Sequence, residues 1–212
     1  MKLNKYIDHT LLKADANRQQ IIKLCQEARE HKFASVCVNP FWVSLCAQEL
    51  KDCTTKVCTV IGFPLGANTT EIKGLETKKA LEDGADEIDM VINIGALKSQ
   101  QFTLVLQDIE KVVANAQGKT VKVIIEAALL STEEKIKACE LALAGAADFV
   151  KTSTGFATGG AKIDDVKLMR EVVLDKMLIK ASGGIKTKKE AQTLIEAGAN
   201  RIGTSNGVEL VK

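Results

Sequence analysis

The sequence predicts an α/β protein, a single-domain (β/α)8 TIM barrel over residues 1–212. Three observations predict it. Short apolar or β-branched runs recur eight times between longer helix-period stretches. Several of those stretches open and close on recognisable helix signals. Eight units in 212 residues leave about 26 residues per unit, enough for a minimal barrel with no inserted domain.

Taken in order, the first strand is predicted over residues 6–9, and the helix after it opens at Asn17, whose side chain can cap the turn while Gln20 reaches back. The second strand is 35–38; Pro40, Phe41 and Trp42 follow, with Trp42 read as a packing residue at a helix start. The third strand is 56–61, and Gly84 closes the next helix just before the fourth strand, 87–92. The fifth strand, 121–126, leads to a helix capped by Ser131 with Glu134. Gly145 is predicted to take the left-handed position before the sixth strand, 148–151. The seventh strand, 177–181, precedes a helix capped by Thr187 with Glu190, and Gly198 closes that helix ahead of the eighth strand, 201–203. An open doubly wound sheet is the alternative, weakened for dinucleotide binding because no strand is followed by G-x-G-x-x-G.

Composition narrows the function classes. Lys and Arg number 29 against 27 Asp and Glu, a formal charge of +2, so nothing draws the chain to nucleic acid or an anionic membrane. The six cysteines have no C-x-x-C spacing and read as free thiols of a reducing compartment. The two histidines, His9 and His31, lack zinc-site spacing, so no metal or other cofactor is expected. No membrane span or leader pattern is seen, which predicts a cytoplasmic protein.

Two lysines end apolar strands, Lys151 on the sixth and Lys180 on the seventh. Barrel enzymes keep their chemistry at the C-terminal ends of the strands, so inward-pointing lysines there would face the active site. Snorkelling to solvent at the rim is the alternative for each. Neighbouring strands lie about 4.8 Å apart, and two ammonium groups so close in a partly dry site disfavour charging both. A free amine there is a nucleophile for a carbonyl carbon.

Ser182, Gly183 and Gly184 follow the seventh strand, and Gly203, Ser205 and Asn206 follow or end the eighth. Glycine-rich turns at these two positions let backbone N–H groups close on a phosphate. Three carboxylates sit in strands. Asp89, flanked by Ile88 and Met90, is costly to bury without a partner, and Lys151 or Lys180 offers one. Asp8 is assigned to substrate binding, and Glu126 is read as orienting a lysine. His9 reads as a polar contact at the rim, and the run from Lys186 to Lys189 as a solvated helix start.

These residues fall in segments that resemble the deoxyribose-phosphate aldolases over nearly the whole chain: IDHTLLK at 7–13, CVNP at 37–40, IGFPLG at 61–66, ADEIDMVINIG at 85–95, FVKTSTGF at 149–156 and KASGGI at 180–185. The resemblance implies a metal-free class I aldolase that interconverts 2-deoxy-D-ribose 5-phosphate with acetaldehyde and D-glyceraldehyde 3-phosphate in deoxynucleoside breakdown. It implies Lys151 as the Schiff-base lysine, Lys180 as its charge-tuning neighbour and Asp89 as the proton-transfer residue. Thr154 and Gly155 join the phosphosugar contacts, and a homodimer or higher homo-oligomer is expected. The chain departs from the family pattern at Ala127, at the Ser205 and Asn206 pair, and at Phe156, where some members carry a lysine. A phosphosugar isomerase barrel and a non-catalytic phosphosugar-binding barrel are the alternatives.

Overall fold

Eight parallel strands, β1 (Ile7–Leu11), β2 (Ser35–Val38), β3 (Lys56–Ile61), β4 (Glu87–Val91), β5 (Thr120–Ile124), β6 (Phe149–Lys151), β7 (Leu178–Ser182) and β8 (Arg201–Thr204), close into a barrel in chain order. The last strand pairs with the first, Asp8 lying opposite Gly203. This is a (β/α)8 barrel, and the computed structural model describes residues 2–212 of it. The strands fall within one or two residues of their expected positions.

The helices are α1 (Arg18–His31), α2 (Val43–Glu49), α3 (Thr70–Glu82), α4 (Ile94–Lys98), α5 (Phe102–Asn115), α6 (Thr132–Ala144), α7 (Ile163–Val173), α8 (Lys188–Glu196) and α9 (Gly207–Val211). All three expected capping boxes form: Asn17 with Gln20, Ser131 with Glu134 and Thr187 with Glu190. The connection after β4 is broken in two. Asn93 caps α4 through a bond from the Ala96 N–H at 3.0 Å, and Gln100 turns left-handed before α5 starts.

Helix ends bear out two of the three glycines. Gly84 and Gly198 have φ of 102° and 120°, but Gly145 has φ −78° and Ala146 takes the left-handed position at 57°. The expectation for Gly145 is corrected by packing: a Cβ there would lie 2.4 Å from Ile109 Cγ2 on α5. Glycine is required for the close approach of two helices, not for its backbone angle.

The main apolar core lies between barrel and helices. Ile7, Val36, Ile88, Val150, Ile179 and Ile202 point outward from their strands and are fully buried with Ile21, Ile109 and Met169 of the helix layer. Each such side chain contributes roughly 1.5–3 kcal/mol by leaving water. The opposite parity faces the barrel interior, where Leu12, Cys37, Cys58 and Val60 make a small second cluster with Phe63. The same parity brings Asp8, Glu87, Asp89, Lys122, Lys151, Lys180 and Arg201 into that interior, with Phe149 beside Lys122.

Candidate active site

Asp89 is the hub of the interior. Its Oδ2 accepts hydrogen bonds from Lys151 Nζ and Lys180 Nζ, each at 2.7 Å, and its Oδ1 from Lys122 Nζ at 2.8 Å and Cys58 Sγ at 3.1 Å. Burial would raise this carboxyl, but Lys122, Lys151 and Lys180 outweigh it and hold Asp89 well below the usual carboxylate range. The two strand-end lysines are therefore brought together as expected. They are in register across β6 and β7 and share one oxygen.

Lys180 Nζ also lies 2.6 Å from Asp8 Oδ2, as an ion pair off the hydrogen-bonding line. Burial pushes Lys180 down, yet Asp8 and Asp89 prevail and keep it above the ordinary lysine range. Asp8 is in turn bonded by Arg201, from Nε at 2.7 Å and from Nη2. Burial pushes Asp8 up, but Arg201, Lys180 and Lys122 hold it far below its usual value. Arg201 Nη2 reaches Glu87 at 2.9 Å, and Lys122 lies 2.7 Å from the same carboxylate. Three carboxylates (Asp8, Glu87, Asp89) thus face three cations (Lys122, Lys180, Arg201), and Lys151 is the amine left without a carboxylate of its own. Buried charges persist only when paired in this way.

Cys37 Sγ, Cys58 Sγ and an oxygen of Asp89 lie within 4.8 Å of one another. The Lys122 and Lys180 ammonium groups on Asp89 already occupy its oxygens and would repel a metal cation there.

Above this cluster opens a cavity of about 460 Å³ at the C-terminal ends of the strands. Of the residues singled out in the sequence, Lys151, Thr154, Gly155, Ser182, Gly183, Gly184, Gly203, Ser205 and Asn206 line it. Lys180 and Asp89 lie directly beneath, fully buried. The assignment of Asp8 to substrate binding is corrected: it is fully buried behind Lys180 and does not reach the cavity.

The walls follow from local backbone chemistry. Gly183 and Gly184 have φ of 88° and 76°, left-handed values that glycine adopts freely. Gly160 of the β6–α7 loop rests against Gly183, whose carbonyl accepts from the Ala161 N–H at 3.0 Å. A Cβ on Gly203 would lie 2.9 Å from Ser182 Cβ and 3.1 Å from Lys180 Cε, so this glycine makes room for the lysine stem. Ser182 Oγ donates to the Ser153 carbonyl at 2.6 Å. Glu126 orients no lysine, contrary to expectation. Left-handed itself at φ 50°, it accepts from the Thr154 N–H at 3.2 Å and from Thr154 Oγ1, holding that residue at the cavity wall.

Sequence reasoning missed Lys122, Glu87, Cys58 and Arg201, whose interior position depends on strand parity. It also missed Lys186 and Lys13, which line the cavity beside the glycine turns. Lys186, expected in a solvated helix start, stands at the cavity instead. Phe63 and Phe156 meet edge to face at 5.2 Å, from the loops after β3 and β6. His9 is no rim residue: it is buried, its Nε2 2.8 Å from Glu27 Oε2 on α1.

The chain is similar to several known proteins over its length. Residues 2–210 match the family model described as DeoC/LacD family aldolase. The deoxyribose-phosphate aldolase of Clostridium tetani (strain Massachusetts / E88) is 60% identical over 213 residues, covering 100% of this chain and 99% of the relative. That of Streptococcus uberis is 61% identical over 211 residues, covering 100% and 96%. Among solved structures, the deoxyribose phosphate aldolase of Aeropyrum pernix, described as tetrameric, superposes with a TM-score of 0.92 at 33% identity, covering 99% of this chain and 89% of that one.

Proposed function

The chain belongs to the DeoC/LacD aldolase family and is an aldolase of the deoxyribose-phosphate type, and from this premise we propose that it works through a Schiff base on Lys151. The reaction is the reversible cleavage of 2-deoxy-D-ribose 5-phosphate to D-glyceraldehyde 3-phosphate and acetaldehyde, a step of deoxynucleoside breakdown. Family membership removes the isomerase and non-catalytic alternatives.

One observation carries the choice of lysine: Lys151 lines the cavity and Lys180 does not. A phosphate seated among Gly183, Gly184, Gly203, Ser205, Asn206 and the ammonium of Lys186 directs the other end of a five-carbon chain past β7 towards β6. Backbone N–H groups and a single lysine supply the anion contacts without a large basic patch. Thr154 and Gly155 complete the wall on the β6 side.

In this mechanism the free amine of Lys151 adds to C1, and loss of water with uptake of one proton from solvent, returned at the final hydrolysis, gives a protonated imine. The C3 hydroxyl proton passes through water to Asp89, which Lys180 and Lys122 hold ionised. The C2–C3 electron pair moves towards the imine, glyceraldehyde 3-phosphate departs and an enamine remains. Protonation at C2 and hydrolysis release acetaldehyde and restore the amine. Lys180, held as a cation between Asp8 and Asp89, is the fixed positive charge beside the reacting amine.

Self-association and a cytoplasmic location belong to the same reading. The tetrameric Aeropyrum pernix relative and the exposed Phe41, Leu65 and Leu75 support the first. Six free cysteines support the second. Among the described residues, no helix is long and apolar enough to cross a membrane.

Borohydride reduction in the presence of 2-deoxyribose 5-phosphate, followed by peptide mapping, tests the chemistry. The added mass is expected on Lys151 alone, and a label on Lys180 overturns the assignment.

A further inference from the structure

His9 is a buried histidine with no part in the mechanism above. On β1, Asp8 turns into the barrel towards Lys180, and His9 turns the other way, into the layer of helices. Its Nε2 lies 2.8 Å from Glu27 Oε2 on α1, and its ring lies 5.2 Å from that of Phe33. A carboxylate only accepts, so the Nε2 position carries the proton and Nδ1 is bare in the neutral ring. Burial holds the ring below its ordinary pKa against the pull of Glu27, which favours that neutral form.

Nδ1 is buried without a hydrogen-bond partner. Such a nitrogen is costly to bury, which an apolar side chain in its place would not be. What the ring side of Nδ1 meets is the backbone of the β8–α9 turn. A Cβ on Gly207 would lie 2.8 Å from His9 Nδ1, 3.0 Å from Ile7 Cγ2 and 3.2 Å from Phe33 Cε2. His9 is also the register partner of Thr204 at the start of the turn. Thr204 Oγ1 donates to the Ile185 carbonyl at 2.8 Å and accepts from the Asn206 N–H at 3.0 Å. The turn from Thr204 to Gly207 is therefore held by the β7–α8 loop on its cavity side and by His9 from behind.

We infer that His9, pinned by Glu27, is a positioning residue for substrate binding: it sets the height at which Thr204, Ser205 and Asn206 meet the phosphate of the sugar. This rests on the phosphate seat proposed above. The wall of β1 separates His9 from Lys151 and Asp89, so its influence falls on the phosphate end of the substrate and not on the reacting carbons.

The test is steady-state cleavage of 2-deoxyribose 5-phosphate and of unphosphorylated 2-deoxyribose, with inorganic phosphate as inhibitor, using the full chain and its His9→Leu, His9→Gln and Glu27→Gln variants. In His9→Leu, KM for the phosphorylated sugar and the inhibition constant of phosphate are expected to rise about ten-fold, with kcat changed by less than about two-fold. Cleavage of the unphosphorylated sugar stays at the wild-type level. His9→Gln, which keeps an N–H for Glu27, restores most of the loss. Should His9→Leu fail to fold, Glu27→Gln, altered from the partly exposed side, shows the same split to a smaller extent. Equal losses on both sugars, or an unchanged inhibition constant for phosphate, overturn the role of His9 while leaving the phosphate seat intact. A wild-type enzyme that neither prefers the phosphorylated sugar nor responds to phosphate overturns both.

Discussion

Lys151 and Lys180 stand side by side in register on β6 and β7 and donate to the same oxygen of Asp89, each at 2.7 Å. Only Lys151 reaches the cavity. The pair divides the work of one site: a cation fixed below by two carboxylates, and an amine above it that has no carboxylate of its own.

Lys180→Leu removes that fixed cation and leaves Asp8 and Asp89 to draw a proton onto Lys151. Activity should fall by about 10²–10³-fold, the range for losing one fixed electrostatic group in a water-excluded site. The remaining activity should peak at higher pH than in the wild type. A pH–rate profile of both proteins measures the displacement, and superimposable profiles would contradict the charge coupling.

Acid should destabilise the fold through the interior carboxylates. Asp89 and Asp8 are both held below the usual value of 3.8, so the unfolded chain binds more protons than the native one between the two values. Stability is then fully present above about pH 4 and drains away as pH falls towards the native values. Asp89→Asn should flatten that loss and cost roughly 3–5 kcal/mol near neutral pH, since the Lys122 and Lys180 ammonium groups lose their shared anion. Urea unfolding from pH 3 to pH 7 on both proteins compares the slopes.

Gly203→Ala places a methyl group 2.9 Å from Ser182 Cβ and 3.1 Å from Lys180 Cε. Ser182 and the lysine stem must shift, at a cost of about 1–3 kcal/mol of stability. Because the displaced stem carries the ammonium next to Asp89, kcat should drop by more than the phosphate inhibition constant rises. Thermal melts and inhibition kinetics separate the two effects. A melt unchanged from the wild type would show that the turn gives way freely.

Lys186→Ala deletes an exposed ammonium from the cavity rim beside Gly184. KM for the phosphorylated sugar should rise about ten-fold, as for the loss of one hydrogen bond to a charged group. The effect should shrink as salt is raised, because the contact is open to screening. KM measured at low and high ionic strength checks both statements.

Much of the architecture could be read along the chain because its signals are local. Strand positions followed apolar runs, and the three capping boxes were spelled by pairs of residues three apart. Lys151, Lys180 and Asp89 stood out as charges at the end or in the middle of apolar strands. Gly145 shows the limit: its spacing suggested a backbone role, and the actual reason is Ile109, a residue on another helix.

By itself, the sequence determined the number and order of strands, the helix starts, and the lysines and glycine turns at the strand ends, all set by neighbours a few positions apart. Only the tertiary structure decided which side of each strand faces inward, since both faces of a parallel barrel strand are buried and alternation leaves no trace in hydrophobicity. That choice of side put Lys122, Glu87 and Arg201 into the interior, took Asp8 from the substrate to the back of Lys180, and turned His9 towards the helices. The partners of those charges, Arg201 with Asp8 across 193 residues and with Glu87 across 114, meet only when the barrel closes.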